Sequence, residues 1–334
     1  MKTSTSLTLA AAAALAGFSG AASAQSTVTI YGIVDQGVIK MNDAPTTANP
    51  GAGTRAQWNM KNGAFSRLGF RGTEDLGGGL YALFHLEHRF TADDGLPAVP
   101  FWNGRSVVGL RSDTLGELTL GRDYLPAFWP AVTADPWGWD TIGQMGRRMY
   151  TWANYSGGDA IGIRDNNMAV YKSPNLNGLT VSVSGALAEG VGTRGREIGG
   201  NAQYSAGPLY VGFGFDRTKN ANPSAPSAEL LLLSGAYQFS IVRPSAVFAR
   251  SKSFTGVTTK SLGVGARVTL GLGELRVGAA HSDPDGPNNN ATKWSLGYFY
   301  FLSKRSALYT DVGSAKQDGV ARSTGIDVGI RHFF

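Results

Sequence analysis

The sequence contains no cysteine and only four histidines. No disulfide can staple this chain, and thiolate metal sites and cysteine nucleophiles are excluded. The histidines are dispersed as His85, His88, His281 and His332. His85 and His88 are neighbours in sequence but have opposite parity on a strand, so a shared metal would require a bulge. A P-loop and a Gly-x-Ser-x-Gly elbow are both absent, which removes two familiar routes to phosphoryl and acyl transfer. "SDPDGPNNN" (282–290) supplies Asp283 and Asp285 but no downstream Glu, and a plain turn describes it better than a calcium loop. These absences leave no metal, no cofactor and no catalytic constellation to expect. Although the formal net charge is +6, the basic residues form no run and no aromatic–basic patch, so nucleic acid is not an expected partner.

Long apolar runs are also missing, apart from one at the start. Lys2 precedes "LTLAAAAALAGF" and then "SGAASA", ending at Ala24. A basic start, a short apolar stretch and small residues at Ala-x-Ala spacing predict a secretory signal peptide over 1–24. That stretch is shorter than the roughly 20 residues of a spanning helix. The mature region is then 25–334, one domain with no helix-length apolar segment.

What the chain has in quantity is glycine, 46 residues, and aromatics, 10%. It also has stretches in which polar and apolar residues alternate. Sixteen of them are readable, near 27–39, 64–75, 79–90, 104–112, 116–123, 166–173, 178–188, 199–206, 208–217, 229–240, 243–252, 261–270, 274–282, 292–302, 305–315 and 323–334. "RRMYTWANY" (147–155) competes for the sixth position. The connections alternate between short and long. "DLGGG" (75–79), "SDTLGE" (112–117), "SPNLNG" (173–178), "SAGP" (205–208), "SIVRP" (240–244), "LGLGE" (270–274) and "LSKR" (302–305) are tight turns. Between them lie longer segments, of which 124–165 is the longest. An even number of antiparallel strands, with short turns at one rim and long loops at the other, predicts an all-β transmembrane barrel of the outer membrane. Closure removes the edges, and lipid requires every backbone polar group to be paired.

Five segments resemble the Gram-negative general porins, and the β-proteobacterial, neisserial-like branch most. They are "STVTIYGIVDQGV" (26–38), "SRLGFRGTEDLGGGLYALFHLE" (66–87), "VGLRSDTLGELTLGRDY" (108–124), "YFYFLSKRSALYTDVG" (298–313) and "GIDVGIRHFF" (325–334). The resemblance implies sixteen strands, a homotrimer and a water-filled pore narrowed by an inward-folded third loop. It also implies outer-membrane lipid and lipopolysaccharide as surroundings, small hydrophilic solutes and anions as cargo, and Phe334 as the signal read during barrel assembly.

Lumen-facing charges set selectivity in such a pore. Arg67 and Arg71 share a face, with Glu87 on the inward face of the next strand, and Arg105 and Arg111 share another. Simple alternation places Arg122 beside Leu118 and Leu120, so it is expected at the rim or turned inward by a bulge. The arginines form a ladder beside the third loop, or pair locally with Glu74, Asp75, Glu87 and Asp123. On the loop itself, Asp135 and Asp140 are the acids before Gly143 and Arg147 and Arg148 form a second basic pair. Trp129, Trp137, Trp139 and Trp152 either pack this loop against the wall or line a path for solutes. Together these readings predict passive diffusion with a weak to moderate anion preference. The alternatives are a channel specific for organic acids, other small anions or sugars, and an adhesion surface built from the long loops.

Overall fold

A computed structural model describes residues 26–42, 57–145, 163–188, 194–286 and 289–334. Its strands are β1 (Thr27–Met41), β2 (Trp58–Lys61), β3 (Ser66–Gly77), β4 (Leu80–Phe90), β5 (Arg105–Ser112), β6 (Gly116–Tyr124), β7 (Arg164–Lys172), β8 (Leu179–Ala186) and β9 (Arg194–Ala206). They continue as β10 (Leu209–Asn220), β11 (Ala228–Tyr237), β12 (Val242–Lys252), β13 (Thr258–Leu270), β14 (Gly273–Pro284), β15 (Ala291–Phe301), β16 (Ser306–Gln317) and β17 (Ser323–Phe333). Among the described residues, one short helix, α1 (Phe128–Ala134), lies between β6 and β7.

Each strand pairs antiparallel with its neighbours, and β1 pairs with β17 from Ile33↔Phe333 to Met41↔Gly325. The sheet therefore closes. β2 and β3 both pair with β1, at Gly37–Lys40 and Thr27–Ile33 respectively, so they occupy one position in the wall. The barrel has sixteen staves. Between those two pieces the chain bulges, and Asp35 fills the gap: its Oδ1 accepts the Gly63 N–H at 2.8 Å, and its own N–H donates to Ser66 Oγ at 3.1 Å. The terminal residue completes the seam, with Phe334 and Gly32 exchanging both backbone hydrogen bonds at 3.0 and 3.1 Å.

The alternation has its faces reversed relative to a soluble sheet. Val108, Leu120, Phe213, Leu233, Leu262 and Leu296 stand on the outer surface and are exposed. Their inward neighbours are mostly polar or small, such as Thr119, Gly212, Ser261 and Ser295, with Val107 and Leu232 the apolar exceptions. At the β3–β4 hairpin, Gly77, Gly78 and Gly79 all have positive φ (85, 63 and 76°). A side chain is strained there, and this is what the glycine run in "DLGGG" provides. The apolar cluster of the protein lies inside the barrel, where the segment after β6 packs on the wall. Ala127, Ala131, Ala134, Trp137, Trp139 and Met145 meet Leu230 and Leu232 of β11, Val247 and Ala249 of β12, and Phe299 of β15.

Candidate functional site: a lumen narrowed by an inward loop

The loop enters the lumen because β6 ends irregularly. Gly121 has φ 132° and the β6–β7 register shifts between Gly121 and Asp123. α1 then packs on β9, β10, β11 and β12, and residues 135–145 continue around the inner wall. Backbone carbonyls and side chains of the wall hold this path. Asn201 Nδ2 donates to Pro126 O at 2.6 Å, and Arg267 donates to Pro136 O at 2.7 Å and Asp135 O at 3.1 Å. Trp137 Nε1 donates to Asp311 Oδ1 at 2.5 Å, Ile142 N to Asp327 Oδ2 at 3.2 Å, and Thr141 N to Gly63 O at 2.8 Å. Inward glycines make the close approach possible. A Cβ on Gly212 would lie 2.9 Å from Pro130, on Gly214 3.0 Å from Ala127, and on Gly265 2.6 Å from Pro136.

The wall opposite the loop carries the charges. Arg67 lies 4.0 Å from Glu87, which Arg89 also contacts at 3.1 Å. Tyr31 crosses the face of Gly69 to bond His85, and its hydroxyl donates to Glu87 at 3.0 Å. Arg105 reaches Asp123 at 2.6 Å and His85 Nδ1 at 3.3 Å, with its guanidinium 5.4 Å from the Tyr124 ring and 5.9 Å from that of Trp129. Arg71 stacks over Tyr31 at 5.5 Å and Arg111 over Tyr81 at 4.5 Å. Among the described residues, neither has a carboxylate within 4 Å. Beneath Trp129 lies a recess of about 350 Å³, lined by Arg105, Asp123, Lys172, Ser182 and Gln203 among others.

The sequence expectations divide accordingly. Arg67, Arg71, Glu87, Arg105 and Arg111 share the inner face of β3, β4 and β5, and ladder and local pairing coexist there. Arg122 departs from the pore wall and takes the rim, one of the two places expected for it: its register partner is Ser106, two residues from outward Val108. It is held at the long-loop rim by Asn103 O at 3.0 Å and Asn166 Oδ1 at 2.7 Å. Asp135 also departs. It is fully buried, and its two oxygens accept the N–H groups of Trp137 at 2.8 Å and Met145 at 3.0 Å, so it folds the loop instead of facing water. Asp140 pairs with Arg331 at 3.1 Å. Trp137 and Trp139 are buried packing residues, whereas Trp129 faces Arg105. Arg147, Arg148, Trp152 and the signal segment lie outside the described residues. Sequence reading missed Arg243, Arg267 and Arg276, which the register sets side by side on β12, β13 and β14. Parity alone marks them as inward, but only register shows that they meet.

A closed antiparallel wall, apolar outside and charged inside, with a loop folded into its lumen, defines a channel-forming barrel of the outer membrane. Residues 11–320 match the model of the Gram-negative porin family. Outer membrane porin protein 32 of Delftia acidovorans is 36% identical over 95% of this chain and 96% of its own length. An outer membrane porin of Bordetella pertussis is 30% identical over 98% and 99%. The solved anion-selective porin of Comamonas acidovorans superposes with a TM-score of 0.80, at 32% identity, over 93% of this chain and 100% of that one. The chain belongs to the Gram-negative porin family, and it forms an outer-membrane channel for passive diffusion.

Proposed function

We propose that this channel prefers anions and that Arg67, Arg71, Arg105 and Arg111 set the preference. One observation carries the reading: among the described residues, the acids of the inward loop, Asp135 and Asp140, are already occupied, while part of the arginine wall is not. Asp135 is enclosed by backbone amides and Asp140 is taken by Arg331. Across the lumen, Arg71 and Arg111 rest on tyrosine rings with their charge uncompensated. Guanidinium stays charged at any physiological pH and is weakly hydrated, which suits a wall that attracts anions without trapping them. Replacing K⁺ by Li⁺ in single-channel recordings should change conductance little, and replacing Cl⁻ by acetate should lower it clearly. The opposite pattern refutes the reading.

The homotrimer belongs to the same proposal. Leu96, Val99 and Phe101, on the loop between β4 and β5, are 62, 88 and 58% exposed. Phe101 stacks on outward His88 at 4.0 Å. Large apolar side chains on an aqueous rim mark a contact surface, and a neighbouring subunit would cover them. Cross-linking of the detergent-extracted protein should yield a three-subunit species; a purely monomeric product would overturn this part.

A further inference from the structure

The row Arg243–Arg267–Arg276 has no part in the wall described above, and its arrangement calls for a counter-ion. Arg243 pairs in register with Arg267, and Arg267 with Arg276. Directly opposed side chains on neighbouring strands stand about 5 Å apart at Cβ, and like charges there repel. The row lies near the short-turn rim. Arg243 is the second residue of β12, and Arg267 and Arg276 flank the turn at 271–272 that joins β13 to β14. Immediately above it, Gly265 and Gly278 touch Pro136, Trp137 and Met145 of the loop. The three guanidinium groups thus lie on the periplasmic side of the constriction.

Among the described residues, the carboxylates nearby do not balance them. Glu274 contacts Arg276 at 2.6 Å and Arg267 at only 3.9 Å. Asp311 follows in the same register row, one strand past Gly297, and lies on the Arg276 side. Arg276 is nearly buried and packs on the Phe299 ring at 3.6 Å. The uncompensated charge therefore falls on Arg243 and Arg267. Arg267 spends two donors on loop carbonyls, and Arg243 spends one, on Thr133 O at 3.5 Å. A guanidinium has five N–H donors, so both keep several for a ligand. Both remain partly exposed, Arg267 with 30% of its side chain accessible.

We infer that Arg243 and Arg267 form a binding site for a small doubly charged oxyanion, entered from the periplasmic side, beneath the inward loop. Two adjacent guanidinium forks match two carboxylates, or the several oxygens of one tetrahedral anion, better than they match chloride. A singly charged anion would leave one positive charge unmet. The site gives the channel a second recognition step, separated from the β3–β5 wall by the loop. It rests on the lumen being an open aqueous path, and it does not require the wall to be anion-selective.

The test uses the full-length channel inserted in one orientation in a planar bilayer, in dilute KCl, with potassium sulfate added to one side at a time. Wild type should show a saturable fall in chloride current, at lower sulfate from the short-turn side than from the long-loop side. Arg243→Gln should lose this sided block, Arg243→Lys should restore it because the charge returns, and Arg243→Glu should abolish it. A block that is equal from both sides, or that survives in Arg243→Gln, overturns the site. Arg267 also holds the loop, so Arg267→Lys serves as the second variant, and its block should remain. Zero-current potentials in a KCl gradient, recorded in the same membranes, report on the wall arginines. A neutral potential with an intact sided block would sink the anion-preferring reading and leave this site standing.

Discussion

Asp135→Ala is the perturbation that most cleanly separates the loop's fold from its electrostatics. The substitution leaves the N–H groups of Trp137 and Met145, held at 2.8 and 3.0 Å, without their acceptor in a buried setting. Hydrogen bonds to a charged group contribute about 1.5–3 kcal/mol each, so about 3–6 kcal/mol of loop anchoring is lost. At 1.4 kcal/mol per tenfold, the population of detached loop rises by about two to four powers of ten. The strand ladders are untouched, so the barrel itself should still fold. The absence of native cysteine provides a clean assay. Ala131, on the wall-facing side of α1, is fully buried, and the rate at which a small thiol reagent labels Ala131→Cys tracks local opening. Adding Asp135→Ala should raise that rate by the stated factor. Asp135→Asn, which keeps one acceptor oxygen, should raise it by about half as much on a logarithmic scale. Labelling unchanged within about threefold would refute the anchoring role. So would a larger shift in zero-current potential for Asp135→Asn than for the half-exposed Asp140→Asn.

Three other outcomes follow from the same geometry. Arg71→Ser with Arg111→Ser should move the zero-current potential towards cations while the heat-modified gel mobility of the barrel stays as in wild type. Leu233→Arg places a charge on the outer face and should cost about 2–4 kcal/mol at mid-bilayer, read by urea titration of the refolded protein in lipid vesicles; a cost near zero would contradict the assignment of that face to lipid. Gly212→Val forces a side chain against Pro130 and Tyr210, and overpacking of about 1–3 kcal/mol should appear as noisier open-channel current.

The strand wall was legible because lipid and water impose a period of two on every stave. Each of the sixteen stretches corresponds to a wall strand, and the short–long alternation of connections assigned the rims. Legibility failed where the loop covers the inner face. In "LLLL" (230–233), Leu231 and Leu233 face lipid while Leu230 and Leu232 pack under the loop, so the alternation vanishes. Gly212, Gly214, Gly265 and Gly278, inside the alternating stretches, are clearance for α1 and for the path through Pro136 and Trp137, a role that parity does not mark. The piece at Trp58–Lys61 was invisible because the bulge around Asp35 separates it from β3. Among the site residues, parity sufficed for Arg67, Arg71, Arg105 and Arg111. It could not reveal that Asp135 turns into its own loop, since that depends on where the backbone returns ten residues later. Nor could it bring Arg243, Arg267 and Arg276 together, because register is a property of the pairing and not of any one strand.

The zero-current potential of the purified channel across a KCl gradient tests the central claim most directly. The arginine wall and the occupied Asp135 and Asp140 predict a potential of the sign set by chloride, reduced in Arg71→Ser with Arg111→Ser. A potential of the sign set by potassium in the wild-type channel would contradict the account.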